Sequence, residues 1–485
     1  MTSEAGTMAV DSGAATGVAA DGAGATKVLF LPAAMRGHIA PLMRLAAHFV
    51  GLGGFEVHVW LGSRWRELAP AGAIVHDDFG MGDADRWADL MDGLFGGLCS
   101  APDWTASLAG MICSATAEEV AEGHAAIQLG GARMVKKVSP AIVVADSAYQ
   151  SGGRIPGLCQ RHCGAKFVAL QCPGRPEPWG RAMVWMGLFR KHGSEIKKVI
   201  PIGADMDRRL EEETGPPLPQ EEHTWLRLLP GCRALVERSA EKQDVFVGAF
   251  LSIPAAPLDT SSELASWLSD VASPDPLVYV AFGTLVRLGE KLVRCLSSAL
   301  AGGPWRVLWA LPLGMREHLP GHLQANAPRW RLEAFAPQAS VLAHPAVRCF
   351  VSHCGQNSVH EALSAAVPMV CIPFYCDQYE WADSVCRHRR AGVKLDKFKA
   401  SEGQIRAAVQ QVLGSEAFKR AAEACRDDIQ EAQQRASELL PAGAAEACAS
   451  VALAAALVTG TVSREAAERS QPMPPRPPGC ACAVQ

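Results

Sequence analysis

The chain has 485 residues, more than one hydrophobic core organises, so two or three domains are expected. Hydrophobic residues make up 49% and charged residues 20%, the balance of a soluble globular protein. A net charge of −4 without a basic block excludes an electrostatic footprint for nucleic acid.

Residues 1–26 are Ala/Gly-rich and carry no Lys or Arg. A secretory leader needs a basic start and an apolar core, and a transit peptide needs arginines. The reading is a disordered tail on a cytoplasmic protein. "KVLFLPA" (27–33) is an apolar run of strand length. "RGHIAPLMRLAAHFVGLGG" follows, with helical spacing at Leu42, Leu45, Ala46 and Phe49, and "FEVHVWLG" (55–62) reads as the next strand. A strand–helix–strand unit of this kind predicts a parallel sheet with helices on its faces. In the turn after the first strand, His38 follows Gly37 at the start of the helix, with Pro41 in the first turn. A helix N-terminus disfavours imidazolium, so His38 is expected to be neutral, either as a structural imidazole or as a general base. "AIVVADS" (141–147) is a further buried strand ending in Asp146, followed by a helix and "KFVALQ" (166–171). The first half is therefore predicted to be a doubly wound α/β domain.

Sixteen cysteines are scattered along the chain and read as reduced thiols, mostly buried. Cys159 and Cys163 flank His162, but no second ligand pair follows at zinc-finger spacing, so no metal site is expected. The Pro/Ser/Thr-rich stretch 251–263 predicts a linker. Strand-like runs then restart at 277–283, 305–311, 330–336, 347–353 and 367–373, with helical segments between them. A second doubly wound domain follows, and two such domains facing each other leave a deep cleft at the carboxyl ends of both sheets. The predicted organisation is a tail (1–26), a first Rossmann-like domain (27–250), a linker (251–263), a second Rossmann-like domain (264–440), a C-terminal helix packing back on the first domain (441–465) and a Pro-rich tail (466–485). The uncharged, Ala-rich stretch 447–463 is read as that docked helix rather than a membrane span. The terminal "CAVQ" fits a prenylation box, which allows a weak lipid anchor at Cys482.

Within the second half, "FVSHCGQNSVHEALSAAVPM" (350–369) joins a strand to a helix through His353–Ser358. Free N–H groups and the helix dipole make such an end a site for anions. Gly355 lets the backbone approach a ligand. Asn357 and Ser358 can cap the helix or donate to phosphate, and Glu361 is placed to accept from sugar hydroxyls.

The longer segment "FAPQASVLAHPAVRCFVSHCGQNSVHEALSAAVPMVCIPFYCDQ" (335–378) resembles the donor-binding signature of the UDP-dependent glycosyltransferases of small molecules. That family holds plant natural-product, animal UDP-glucuronosyl and bacterial macrolide enzymes. The likeness spans roughly residues 27–400, specific in this box and looser in the first half. It implies the type B glycosyltransferase fold and a UDP-sugar, with glucose favoured, as co-substrate rather than any cofactor. By position, Phe335 would stack on uracil and the backbone of Ala336 would pair with the base edge. Gln338 and Glu361 would hold the ribose. His353, Asn357 and Ser358, helped by Thr284, would hold the diphosphate, and Asp377 and Gln378 the sugar hydroxyls. Gln356 borders the sugar. The chain departs from the plant pattern at Phe335 and Gln356, where plants carry Trp, and at Ala366, where Gly is usual.

The resemblance also implies that His38 is the base and that Asp146 orients it, although Asp146 could instead cap the next helix. The expected reaction is an inverting, metal-independent transfer to a hydroxyl of a small apolar acceptor. Acceptor walls would come from loops near 80–98 and 178–189. Against it stand Asp-x-Asp tripeptides at 83–85 and 205–207, which match metal-dependent glycosyltransferases. The sequence is also compatible with a sugar-nucleotide epimerase or hydrolase on the same fold, and with a non-catalytic UDP-sugar-binding protein.

Overall fold

Continuous Val/Ile/Leu runs suit strands buried on both faces, and the chain builds two parallel sheets from them. The computed structural model describes residues 25–77, 99, 117–170, 204–236, 244–250, 258–269, 275–440 and 448–469, apart from positions 34, 148, 150–152, 206, 260 and 376. The first sheet holds β1 (Thr26–Leu31), β2 (Phe55–Trp60), β3 (Ile74–His76), β4 (Ile142–Asp146), β5 (Lys166–Leu170), β6 (Leu226–Pro230) and β7 (Asp244–Gly248). Their order is β3-β2-β1-β4-β5-β6-β7, with every pairing parallel. Helix α1 (Arg36–Leu52) covers one face, and α2 (Ala117–Val138) and α3 (Arg154–Cys163) cover the other.

After α4 (Glu263–Leu268) the second sheet collects β8 (Leu277–Ala281), β9 (Arg306–Ala310), β10 (Trp330–Glu333), β11 (Val347–Ser352), β12 (Met369–Cys371) and β13 (Gly392–Lys394). Its order is β10-β9-β8-β11-β12-β13, again all parallel. Helices α5 (Glu290–Ala301), α6 (Gln338–Leu342), α7 (Gln356–Ser364), α8 (Gln378–Asp383), α9 (Glu402–Gly414) and α10 (Glu416–Glu438) flank it. The chain then returns to the first domain. Helix α11 (Ala449–Thr459) packs against α1 and β7, and its residues from Ala449 to Val458 are all buried. Val451, Leu453, Leu457 and Val458 join the core of the first domain, each burial stabilising by about 1.5–3 kcal/mol. Helix α12 (Arg464–Arg469) ends the described chain. Among the described residues no helix is long and apolar enough to cross a membrane, and all eleven described cysteines are free thiols.

In each sheet the order reverses between two central strands, β1 and β4 in the first and β8 and β11 in the second. At such a switch point the connections leave in opposite directions and open a crevice beyond the carboxyl ends of the strands.

Ala366, which ends the turn after α7, has φ +52°, in the left-handed region that favours glycine. The Lys419 ammonium holds its carbonyl at 2.9 Å. A non-Gly residue there costs about 1–2 kcal/mol, while glycine adds back part of that as unfolded-state entropy. Ala366→Gly is expected to stabilise the protein by about 0.5–1 kcal/mol, read as a rise in the urea midpoint. An unchanged or lower midpoint would show that the backbone there is not strained.

Candidate active site at two facing switch points

At the first switch point, β1 delivers the chain to α1, and β4 ends beside it at Asp146. His38 is the third residue of α1, and its Nδ1 lies 2.8 Å from Oδ2 of Asp146. Asp146 is buried; His38 keeps about a third of its side chain exposed, with relative accessibilities of 7% and 37%. The hydroxyl of buried Tyr149 donates to the Pro32 carbonyl at 3.2 Å and braces the turn that carries His38. An Nδ1–H donated to the carboxylate leaves Nε2 as the proton acceptor.

The carboxylates around His38 act against the expected neutral form, and the helix N-terminus is not their only counterweight. Burial alone would lower its pKa, but the Asp146 carboxylate outweighs that by charge and hydrogen bond, and Asp377 adds to it, so the net shift is upward. Pro41 also lies deeper than the first turn, inside the helix. Asp146 does not cap α3, whose N-terminal neighbour is Gly153 in a left-handed conformation.

The second switch point holds the loop from β11 to α7. Helix α7 starts at Gln356 behind Gly355 (φ −62°, ψ 149°), with no side chain capping it. Of the two roles open to Asn357 and Ser358, capping is not formed; Ser358 receives the Gln338 amide at 3.0 Å. The same amide donates to Glu361 at 2.7 Å, so Gln338, Ser358 and Glu361 form one polar cluster. Burial pushes the Glu361 carboxyl up, with the Gln338 amide and the Arg44 charge opposing. Cys354, inside the loop, has φ +63°, the kind of strain that concentrates at functional sites.

The His353 ring lies between two glycines. A Cβ added at Gly283 would come within 2.8 Å of it, and one at Gly355 within 2.7 Å. Burial lowers its pKa to about 4, the Ala281 carbonyl opposing only weakly. At neutral pH His353 is therefore an uncharged donor rather than a cation facing an anion.

The other predicted residues sit on neighbouring strand ends. Thr284 is exposed beyond β8, and the Phe335 ring is exposed beyond β10 at 66%. Ala336 is buried beside it, and Asn357 is half-buried in the first turn of α7. Asp377 precedes α8 and bears on His38 from the second domain, so the two switch points face each other. Gln378 is turned inward: its Oε1 accepts from the Phe374 and Tyr375 amides at 2.9 and 3.2 Å, which leaves its NH2 for a ligand. Gln356 reaches out of the second domain altogether, its amide donating to the Pro230 carbonyl at the end of β6.

Sequence reading misses Arg44, Pro230 and Tyr149, which act through the meeting of distant segments and carry no local motif. The loops 80–98 and 178–189, the tripeptide 83–85, Met206 and the terminal CAVQ lie outside the described residues. Asp205 and Asp207 of the other Asp-x-Asp tripeptide pair with Arg208 at 2.6 Å and Arg154 at 3.5 Å. Among the described residues no cluster of three His, Cys, Asp or Glu is arranged to hold a metal ion. A cavity of about 800 Å³, walled in part by Phe167, Trp225 and Leu457, lies by the amino ends of β5 and β6 and contains none of these site residues.

Residues 238–425, which include the whole second switch point, match the family described as UDP-glucoronosyl and UDP-glucosyl transferase. The match lies almost entirely in the second half of the chain and covers well under half of its length. The chain is 34% identical over 150 residues to a UDP-glycosyltransferase 84A3 of Arabidopsis thaliana, covering 30% of each chain. It is 32% identical over 192 residues to a flavonol 3-O-glucosyltransferase of Actinidia chinensis var. chinensis, covering 39% of this chain and 41% of that one. The matched segments thus span about a third to two fifths of these relatives. The fold likeness extends further. The solved glycotransferase of kitacinnamycin superposes with a TM-score of 0.61 at 17% identity, covering 91% of this chain and 99% of that one. The fold is therefore the type B arrangement of two Rossmann-like domains.

Proposed function

We propose that the protein transfers a sugar, glucose by preference, from a UDP-sugar to a hydroxyl of a small apolar acceptor, with inversion at the anomeric carbon. The observation that carries this is the His38–Asp146 pair at one switch point facing the uncapped α7 N-terminus at the other. Phe335 stacks on uracil and Ala336 offers its backbone to the base edge. Glu361, aligned by Gln338, accepts from the ribose hydroxyls. The amides of the α7 first turn, neutral His353 and Thr284 receive the diphosphate. Asp377, with the Gln378 amide, receives sugar hydroxyls.

The acceptor O–H gives its proton to Nε2 of His38 as its oxygen bonds to the anomeric carbon. The bond from that carbon to the diphosphate breaks, and UDP leaves with the electron pair. Asp146 holds the tautomer and steadies the imidazolium that forms. Donors fixed in the protein meet the charge on the leaving group, so no metal ion is assigned to the step. Phe335 and Gln356 in place of two tryptophans alter the walls near the base and the sugar, so uridine recognition is shared with the plant enzymes more closely than the sugar pocket.

The experiment is product mass spectrometry from phenolic and aliphatic alcohols with several UDP-sugars, repeated in excess chelator, with the anomeric configuration read by NMR. A β-glucoside from UDP-α-glucose, formed equally with chelator, is expected. UDP release with no glycoside from any acceptor would overturn the reading in favour of a hydrolase.

A further inference from the structure

Helix α7 presents both its diphosphate-binding amides and Glu361 to the donor, yet its polar side chains reach the other domain. Gln356, its first residue, donates to the Pro230 carbonyl at the end of β6. Five residues on, Glu361 feels the charge of Arg44. Arg44 belongs to α1, six residues beyond His38, and its guanidinium donates to the Phe250 carbonyl just after β7. Pro230 pairs with Gly248 in the sheet, so the carbonyls at Pro230 and Phe250 stand on one edge of the first domain. The helix that carries the base and the helix that carries the donor are therefore joined through a single edge, at the point where the chain enters the linker. His38 already lies within the electrostatic reach of Asp377, which fits two domains held close.

Resting on the proposed transferase reading, we infer that the Gln356 amide straps α7 to the first domain at Pro230, with Arg44 bracing the neighbouring Phe250 edge from α1, and that this strap sets the position of the α7 N-terminus relative to His38. Both are positioning residues; neither exchanges a proton in the reaction. The Gln356 amide fixes the start of α7 through a neutral hydrogen bond. Arg44 fixes α1 against the linker entry and attracts Glu361 across the cleft. Contacts to uridine come from within the second domain, so loosening the strap leaves UDP bound while the sugar and the base move apart. A small displacement between reacting groups costs far more in turnover than in binding. At this position the plant pattern carries Trp, whose indole N–H sits on a rigid ring with a different reach, so a strap through a side-chain amide belongs to this chain's sequence rather than to the signature.

The test compares Gln356→Ala, Arg44→Gln, the double variant and Arg44→Lys with the wild type. Three readouts apply: kcat, UDP affinity by calorimetry, and the radius of gyration by small-angle scattering with UDP bound. Loss of one such bond is expected to lower kcat by about tenfold. UDP affinity should change less than twofold in Gln356→Ala, and the radius of gyration should rise in the double variant. Arg44→Lys should recover part of the loss, since the charge near Glu361 returns. Unchanged kcat in both single variants would overturn the strap. So would a loss of UDP affinity in Gln356→Ala as large as its loss of kcat, which would make Gln356 a donor contact. Scattering does not depend on turnover. If the wild type binds UDP but transfers nothing, the transferase reading fails; if the double variant then scatters like the wild type, the strap fails separately.

Discussion

His38→Ala is expected to lower kcat by about 10²–10⁴-fold, the usual contribution of a positioned general base, while UDP affinity stays within about twofold. The proposed base lies in the first domain, and the groups proposed for uridine and diphosphate all lie in the second. The substitution removes the proton acceptor and leaves the donor cradle untouched. It also leaves Asp146 buried without its 2.8 Å partner, so some loss of stability accompanies the loss of rate. His38→Gln separates the two effects, since its amide can still donate to Asp146 but cannot take a proton. If His38→Gln folds like the wild type and turns over like it, the proposed base is wrong. Single-turnover kinetics with saturating donor and acceptor are the measurement, because slow product release would otherwise mask the chemical step.

The parts legible in the sequence are those written in apolar runs. β1, β4, β5, β8, β9, β11 and β12 coincide with largely apolar runs, as strands covered on both faces need, while β2 and β10 register through shorter apolar stretches interrupted by charged residues. β6 and β7 escape that reading. Arg227 on β6 and Asp244 on β7 are charged, yet both are buried and pair at 2.6 Å, so the strands carry polarity that looks like loop. β3 and β13 are three residues long and, unlike equally short β12, are not part of a longer apolar run that would mark them. His38 and Asp146, 108 residues apart, are linked in the sequence only by family resemblance. Their contact depends on β1 and β4 being neighbours, which no local pattern states. The signature likewise names Gln356 but not its destination, since Pro230 meets it only once the two domains are set against each other. Ala366 is the converse case: a departure from the usual glycine, read from sequence, lands on a positive φ.

Asp146→Asn is the substitution that separates positioning from charge. Its amide keeps the size of the side chain and can accept from Nδ1–H, but it can also turn its NH2 toward His38 and favour the wrong tautomer. The imidazolium formed as the acceptor is deprotonated then has no buried anion beside it. A loss of kcat of about 10²–10⁴-fold is expected. The pH profile gives the sharper result. In the wild type the upward shift of His38 places the acid limb of kcat/KM above the ordinary histidine value of 6.5. Activity requires the neutral imidazole, so the rate rises with pH through that limb and is lost as pH falls below it. Asp146→Asn removes the largest raising influence and leaves burial, which lowers the pKa, opposed only by Asp377. The acid limb should therefore move to lower pH even as the plateau falls. A structural carboxylate acting only through stability would lower the amount of active enzyme and leave the limb where it was. A variant with an unmoved acid limb and a near wild-type plateau would remove Asp146 from the mechanism. An unmoved limb with a reduced plateau would make Asp146 such a structural carboxylate and assign the limb to another group, with Asp377→Asn as the next profile to record.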